Sequence, residues 1–360
     1  MSTGKYLTRL LSAVLFSCAT LGAFLLALGS ASAPLDVIPT ADTVPATVLG
    51  VWNGSPGSVP AGVHPDVLND YLYYGSPFPS SFAAAAEKAG ATPYVELEPW
   101  HGGGTSDCSS LSGSASYYES VGAAVKAGGK PVILTWAHEF NVSGQYPWAT
   151  GNGCGFTTAD WLGEWRDVVS WVRSTAGGLA YFMWAPNADT CPGQSCTTLD
   201  PAPWWPGSSY VDMTGVDSYP QAQYGTGTFA TSLAPTFAYI KSLPGFTSLP
   251  QQKIFVSETD LAPLGSSGYE SVSGYVSDLC KDGGDGVLQF QDGTPALTSL
   301  QWTQLAGDLK ADCGSAPAIT PVTPAPTVTA PAPVTTPHAW HVAHEAHLAH
   351  LRWLHMLYSG

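Results

Sequence analysis

Eight short apolar runs separated by segments of helical periodicity constrain this chain more than any other feature. The runs cover residues 46–52, 71–74, 92–100, 131–139, 179–184, 211–219, 253–258 and 286–291. Between them lie helix-like stretches at 80–89, 116–127, 157–173, 229–242, 269–280 and 297–313. In the third of these, Trp161, Leu162, Trp165, Val168, Val169 and Val172 recur at helical spacing. Thr157 or Thr158 can cap that helix, and Gly177 and Gly178 can end it. Eight strand–helix repeats over about 270 residues have the period of a (β/α)8 TIM barrel, in the α/β class. The alternative is a doubly wound open sheet, but no Gly-x-Gly-x-x-Gly follows the first run to support it.

A barrel places its chemistry at the carboxyl ends of its strands. Glu139 closes the fourth run and Glu258 the seventh, so both are expected on one rim. Burying a carboxylate there costs several kcal/mol unless it is paired or hydrogen-bonded. Each glutamate could simply cap a strand in a polar rim. The neighbouring residues favour chemistry instead. His138 precedes Glu139, Asn141 follows it, and Tyr146-Pro147-Trp148 lies just beyond. The third run ends in Glu98-Pro99-Trp100-His101, the fifth in Trp184-Ala185-Pro186-Asn187, and the sixth in Asp217-Ser218-Tyr219.

Two carboxylates among aromatic platforms suit cleavage of a glycosidic bond. Sugars stack apolar C–H faces on Trp and Tyr, and an oxocarbenium-like transition state needs one carboxylate while another carboxyl protonates the leaving oxygen. Composition agrees, since only 11% of residues are charged and the formal charge is −15. Such a chain lacks the basic patch that a nucleic-acid partner requires. Nothing in the pattern asks for a cofactor or a metal in the barrel. The expected partner is a polysaccharide, and the protein is expected to be a monomer.

These motifs resemble glycoside hydrolase family 26. The likeness rests on Thr135-Trp136-Ala137-His138-Glu139-Phe140-Asn141 with Tyr146-Pro147-Trp148, on Trp184-Ala185-Pro186-Asn187, and on Trp205-Pro206-Gly207 with Tyr210-Val211-Asp212. Gly215-Val216-Asp217-Ser218-Tyr219 and Val256-Ser257-Glu258-Thr259 complete it. The resemblance implies a retaining (β/α)8 enzyme, chiefly an endo-β-1,4-mannanase, with xylan and mixed-linkage glucan as alternatives. It makes Glu139 the acid/base and Glu258 the nucleophile, with Tyr219 holding the nucleophile. It places His138 and Trp148 at the sugar, and Trp184 and Trp100 are further candidates for the substrate site. Many members carry Arg where Thr135 stands, and the eighth run lacks the Trp that often floors the sugar site. A non-hydrolytic sugar-binding or cell-wall protein on the same barrel is the rival class.

Flanking segments read differently. Residues 1–33 have the pattern of a secretion signal: Lys5 and Arg9, an apolar stretch, then Ala31-Ser32-Ala33. A retained N-terminal membrane anchor is the alternative. Cleavage would remove Cys18 and leave six cysteines, an even number that suits disulfides in a secreted protein. Six cysteines allow fifteen connectivities, and the set expected among them is Cys108–Cys154, Cys191–Cys196 and Cys280–Cys313. The barrel is expected over 45–313 and a Pro/Thr/Ala-rich linker over 314–337. Residues 338–360 form a His-rich tail with six of the nine histidines. His338, His341, His344, His347 and His350 recur at every third position, which drifts about 60° per step on an α-helix. The tail is either a weakly ordered end, a metal ligand or a surface contact.

Overall fold

The computed structural model describes residues 48–51, 59–102, 107–151, 153–188, 200–249, 254–289 and 297–314. The chain divides into two units, Met1–Pro39 and Thr40–Gly360. The first unit lies wholly outside the described residues, as do the expected signal, the expected Cys191–Cys196 pair, and all but Gly314 of the linker and tail.

The second unit is a closed barrel of eight parallel strands in sequential order. They are β1 (Val48–Val51), β2 (Val67–Tyr73), β3 (Thr92–Glu98), β4 (Val132–Trp136), β5 (Ala180–Trp184), β6 (Met213–Asp217), β7 (Ile254–Thr259) and β8 (Gly284–Gln289). The ring closes where β1 pairs with β8, Gly50 lying opposite Leu288. The helices are α1 (Ser80–Lys88), α2 (Ala115–Gly128), α3 (Thr158–Ala176), α4 (Phe229–Ser232), α5 (Ala234–Lys241), α6 (Val272–Lys281) and α7 (Ser299–Asp308). This is the (β/α)8 fold expected from the alternating runs.

Strand side chains alternate between two cores. Val67, Tyr94, Ile133, Tyr181, Met183, Met213, Phe255 and Leu288 fill the barrel interior. Leu68, Val95, Leu134, Phe182, Val216 and Val287 face outward and pack in the layer that includes the helices. Because both faces are buried, most strands read as continuous apolar runs. β2 is the exception. It starts four residues before the expected run because Asn69 and Asp70 interrupt the apolar pattern, and Asn69 faces inward to meet Glu96.

The helices follow their local signals. Thr157 forms a capping box with Asp160, and Gly177, at φ 66°, ends α3 in the left-handed conformation. Trp161 and Trp165 pack fully buried on that helix, with ring centroids 5.1 Å apart. Gly122 lets α2 lie directly against α3, since a Cβ there would come 2.2 Å from the Val172 carbonyl oxygen. The single helix expected over 229–242 is two, because Pro235 opens α5 and lacks the N–H that would continue α4. The expected 297–313 helix runs as α7 and then a π-turn at Leu309–Cys313. That turn ends at the Cys280–Cys313 disulfide, and Cys108 is bonded to Cys154. Both pairs match those expected from sequence. Among the described residues no helix is long and apolar enough to cross a membrane.

Candidate active site

Glu139 does not end β4 as the sequence suggested. The strand stops at Trp136, and Glu139 sits three residues into the following loop. Ala137 and Glu139 both hold positive φ, 51° and 48°, which non-glycine residues rarely adopt. Such conformations cost about 1–3 kcal/mol each and persist only where surrounding contacts enforce them. Here the backbone bonds outlast the strand: Ala137 N–H donates to Leu97 O, and Glu139 N–H to Ala185 O, each at 3.0 Å. The two flanking strand ends thereby turn the glutamate into the barrel mouth. Its carboxyl accepts from Asn187 Nδ2 on one oxygen and from Gln145 Nε2, at 2.8 Å, on the other.

Glu258 reaches the same mouth by a different device. Strict alternation along β7 would send it outward, since Phe255 and Ser257 face inward. Between Val216 and Asp217 the β6–β7 register shifts, so Val216 lies opposite Val256 but Asp217 opposite Glu258. This bulge puts one extra residue on β7 and lets Ser257 and Glu258 both face in. Ser257 Oγ donates to Asp217 Oδ1 at 2.6 Å. Glu258 accepts from the Tyr71 hydroxyl at 2.8 Å on one oxygen and from the Tyr219 hydroxyl on the other. Burial raises its pKa from the ordinary value, and the two tyrosines pull it back.

His138 is buried, with Nδ1 3.2 Å from Glu96 Oε2 and Nε2 3.3 Å from the Tyr146 hydroxyl. Glu96 also accepts from Asn69 Nδ2 at 2.9 Å. Burial, then the charge of Glu258, hold the Glu96 carboxyl well above the usual range. Asp217 is raised for the same two reasons. Trp148 Nε1 donates to the His138 carbonyl at 2.7 Å, and its ring stacks on Tyr146 at 4.5 Å. Trp148 is 1% exposed, so it braces His138 and offers no open face for a sugar to stack on.

Trp100 is also buried. Its indole N–H donates to Glu98 Oε2 at 3.0 Å and its ring meets Trp148 edge-on. Of Glu98, Trp100 and His101 at the end of the third run, only His101 is exposed, 5.7 Å from the Tyr74 ring. Trp184 stands apart. It belongs to the outward parity of β5, is 0% exposed, donates to Trp204 O at 3.0 Å and packs on Phe140. Alternation places it behind the strand, not in the mouth. Thr135 is buried between the Tyr94 hydroxyl and Met183 O.

Burial raises Glu98 to about 8, with the Trp100 indole opposing and Glu258 adding to the rise. A folded pKa above the unfolded one contributes stability that is full at low pH and is lost as pH rises through the folded value. Glu98→Gln removes that titration. Its melting temperature relative to the unsubstituted protein is expected to climb between about 4.5 and about 8, then level off. Thermal melts across that range check this, and a difference independent of pH would exclude Glu98 as the titrating group.

Four residues of this constellation escaped sequence reasoning: Asn69, Tyr71, Glu96 and Gln145. The inward alternation of Val67, Asn69 and Tyr71 along β2 was the available signal for two of them.

No family model matches the chain, and no curated protein matches it. Solved structures do. A Cellulomonas fimi endo-β-1,4-mannanase double mutant is 14% identical over 73% of this chain and 71% of its own, with a TM-score of 0.53. A family 26 β-mannanase from Bacteroides ovatus is 14% identical over 74% of this chain and 87% of its own, also at 0.53. A family 26 protein from Muricauda sp. is 13% identical over 73% and 86%, at 0.52. At these identities the likeness is one of fold, the closed barrel of eight parallel strands.

Proposed function

We propose that this protein is a secreted retaining endo-glycosidase that cleaves β-linked polysaccharide, with β-1,4-mannan the leading substrate. One observation carries the reading: two buried glutamates share the carboxyl-end mouth of the barrel in contrasting settings. Glu258 lies between two tyrosine hydroxyls, donors that favour its ionised form, as a nucleophile needs. Glu139 lies between two amides, whose paired donor and acceptor groups suit a carboxyl that must change protonation state. In this mechanism Glu139 passes its proton to the glycosidic oxygen as Glu258 attacks the anomeric carbon. The leaving sugar departs and a covalent glycosyl-enzyme forms. Glu139, now a carboxylate, takes a proton from water, whose oxygen displaces Glu258 and restores both groups.

Mannan is favoured by the motif resemblance and by the Cellulomonas and Bacteroides neighbours, both β-mannanases. Thr135, at a position where many family 26 members carry Arg, leaves the same chemistry on mixed-linkage β-glucan or xylan as the alternative substrate reading. The two disulfides support secretion, since such bonds persist in oxidising compartments. Incubation with mannan, xylan and mixed-linkage glucan should release reducing ends from one of them. Proton NMR of the earliest products should show the β anomer. Inversion would place the carboxylates farther apart than the roughly 5–5.5 Å of retaining enzymes. Binding without any reducing ends would favour the non-hydrolytic rival.

A further inference from the structure

The loop after β4 returns on itself to reach its own glutamate. Val142 N–H donates to Glu139 O at 3.0 Å, and Gln145 N–H donates to Val142 O at 3.3 Å. Gly144 N–H donates across the loop to Thr150 O at 3.1 Å. These turns start at the two left-handed residues and bring the Gln145 amide back to Glu139 Oε2 at 2.8 Å. The opposite oxygen is held by Asn187 from the loop after β5. Asn187 is itself clamped by Asn141, whose Nδ2 donates to Asn187 O at 2.8 Å while Oδ1 accepts Asn187 N–H at 2.9 Å.

The two amides are therefore not equivalent. Asn187 is short and its backbone is bonded on both sides, so it is a fixed partner. Gln145 is longer and only half-buried, on a loop that carries the glutamate itself. The terminal torsion of a glutamate is broad, and one hydrogen bond leaves its carboxyl free to swing. Two bonds from opposite sides fix the plane. A primary amide also carries two donors and an acceptor, so it can serve the carboxylate through Nε2 and the acid through Oε1. We propose that Gln145 is a positioning residue for proton transfer by Glu139. It orients the carboxyl toward the leaving oxygen and stabilises the carboxylate that remains after the proton departs. The proposal rests on the reading of Glu139 as acid/base.

The experiment uses the full chain and aryl β-biosides of mannose, glucose and xylose, keeping whichever series the unsubstituted protein cleaves. A phenyl glycoside needs a proton on its leaving oxygen, whereas a 2,4-dinitrophenyl glycoside needs almost none. In Gln145→Met, which keeps the volume but loses the donors, kcat/KM for the phenyl glycoside falls roughly 10- to 100-fold, the effect of a hydrogen bond to a charged group. For the dinitrophenyl glycoside it is unchanged. Equal loss on both substrates, or loss on neither, overturns the proposal. Gln145→Ala must show the same selectivity, so failure of one variant to fold leaves the test intact. Glu139→Ala with added azide separates the two claims. Formation of the β-glycosyl azide from the dinitrophenyl substrate supports Glu139 as acid/base independently of Gln145. No rescue would remove the reading of Glu139 and the proposal with it. Failure of the unsubstituted protein to cleave any of the three series also overturns both.

Discussion

On the proposed mechanism, which makes Glu258 the nucleophile, Glu258→Gln is expected to reduce turnover on the order of 10⁴-fold or more while leaving the barrel folded. Glu139→Gln should lose roughly 10²–10⁴-fold, the usual contribution of a general acid. Glu258→Gln also differs from the loss of a strand cap in its effect on stability. Glu258 is buried and its pKa is raised by that burial, so its ionised form opposes folding. A raised folded pKa contributes stability that is full below the unfolded value and lost as pH rises through the folded one. Glu258→Gln should therefore melt above the unsubstituted protein at neutral and alkaline pH, with the gap closing near about pH 4. Such a stability cost is what the proposed nucleophile would carry. Near-normal turnover in either variant would falsify the assignment of that glutamate. Calorimetry alongside reducing-end assays checks both halves.

Removing the tyrosine hydroxyls should slow the protein without abolishing it. Tyr71→Phe and Tyr219→Phe each delete one donor to the Glu258 carboxyl, at opposite oxygens. A hydrogen bond to a charged group contributes about 1.5–3 kcal/mol, so each variant should lose roughly 10- to 100-fold in kcat/KM. Both hydroxyls serve one carboxylate, so the double variant should lose less than the product of the two. The pH profile is the sharper readout. The tyrosines lower a pKa that burial raises, so their loss lets it rise further. Protonation then removes the nucleophile at higher pH, and the acid limb of kcat/KM shifts upward. If Tyr71→Phe moves neither the rate nor that limb, Tyr71 is not holding a nucleophile.

Tyr71 shows how the two levels of reading divide. Tyr219 stands beside a recognisable motif, one residue after Ser218, and is nameable from the chain alone. Tyr71 lies in an ordinary apolar run, 187 positions from the carboxylate it contacts. Alternation with Val67 and Asn69 marks the face it shares, but only ring closure brings β2 and β7 to the same mouth. Glu96 is similar. A carboxylate inside a strand reads as an interruption until the alternation of Tyr94, Glu96 and Glu98 is seen to face the barrel axis.

Trp184 and Trp148 mark the opposite error. Aromatic residues near a strand end look like sugar platforms, yet strand parity turns Trp184 outward and stacking closes over Trp148. Sequence proximity to a catalytic motif does not reveal which face of a ring is left open. That depends on neighbours contributed by other strands.

The α/β class follows from the chain alone, since apolar runs alternate with helical stripes, and eight repeats favoured a barrel over a doubly wound sheet; the closed ring settles that choice. That Glu139 and Glu258 would share one rim was also legible, from their places in the fourth and seventh runs, and the cysteine count pointed to disulfides without fixing their pairing. What tertiary structure decided is how those carboxyls point. Glu139 faces the mouth through two left-handed residues held by neighbouring strand ends, and Glu258 through a bulge that adds one residue to β7. Both are departures from regular backbone, imposed by hydrogen bonds between strands distant in sequence. Local propensity opposes the first and is silent on the second, so neither could be read before the ring was closed.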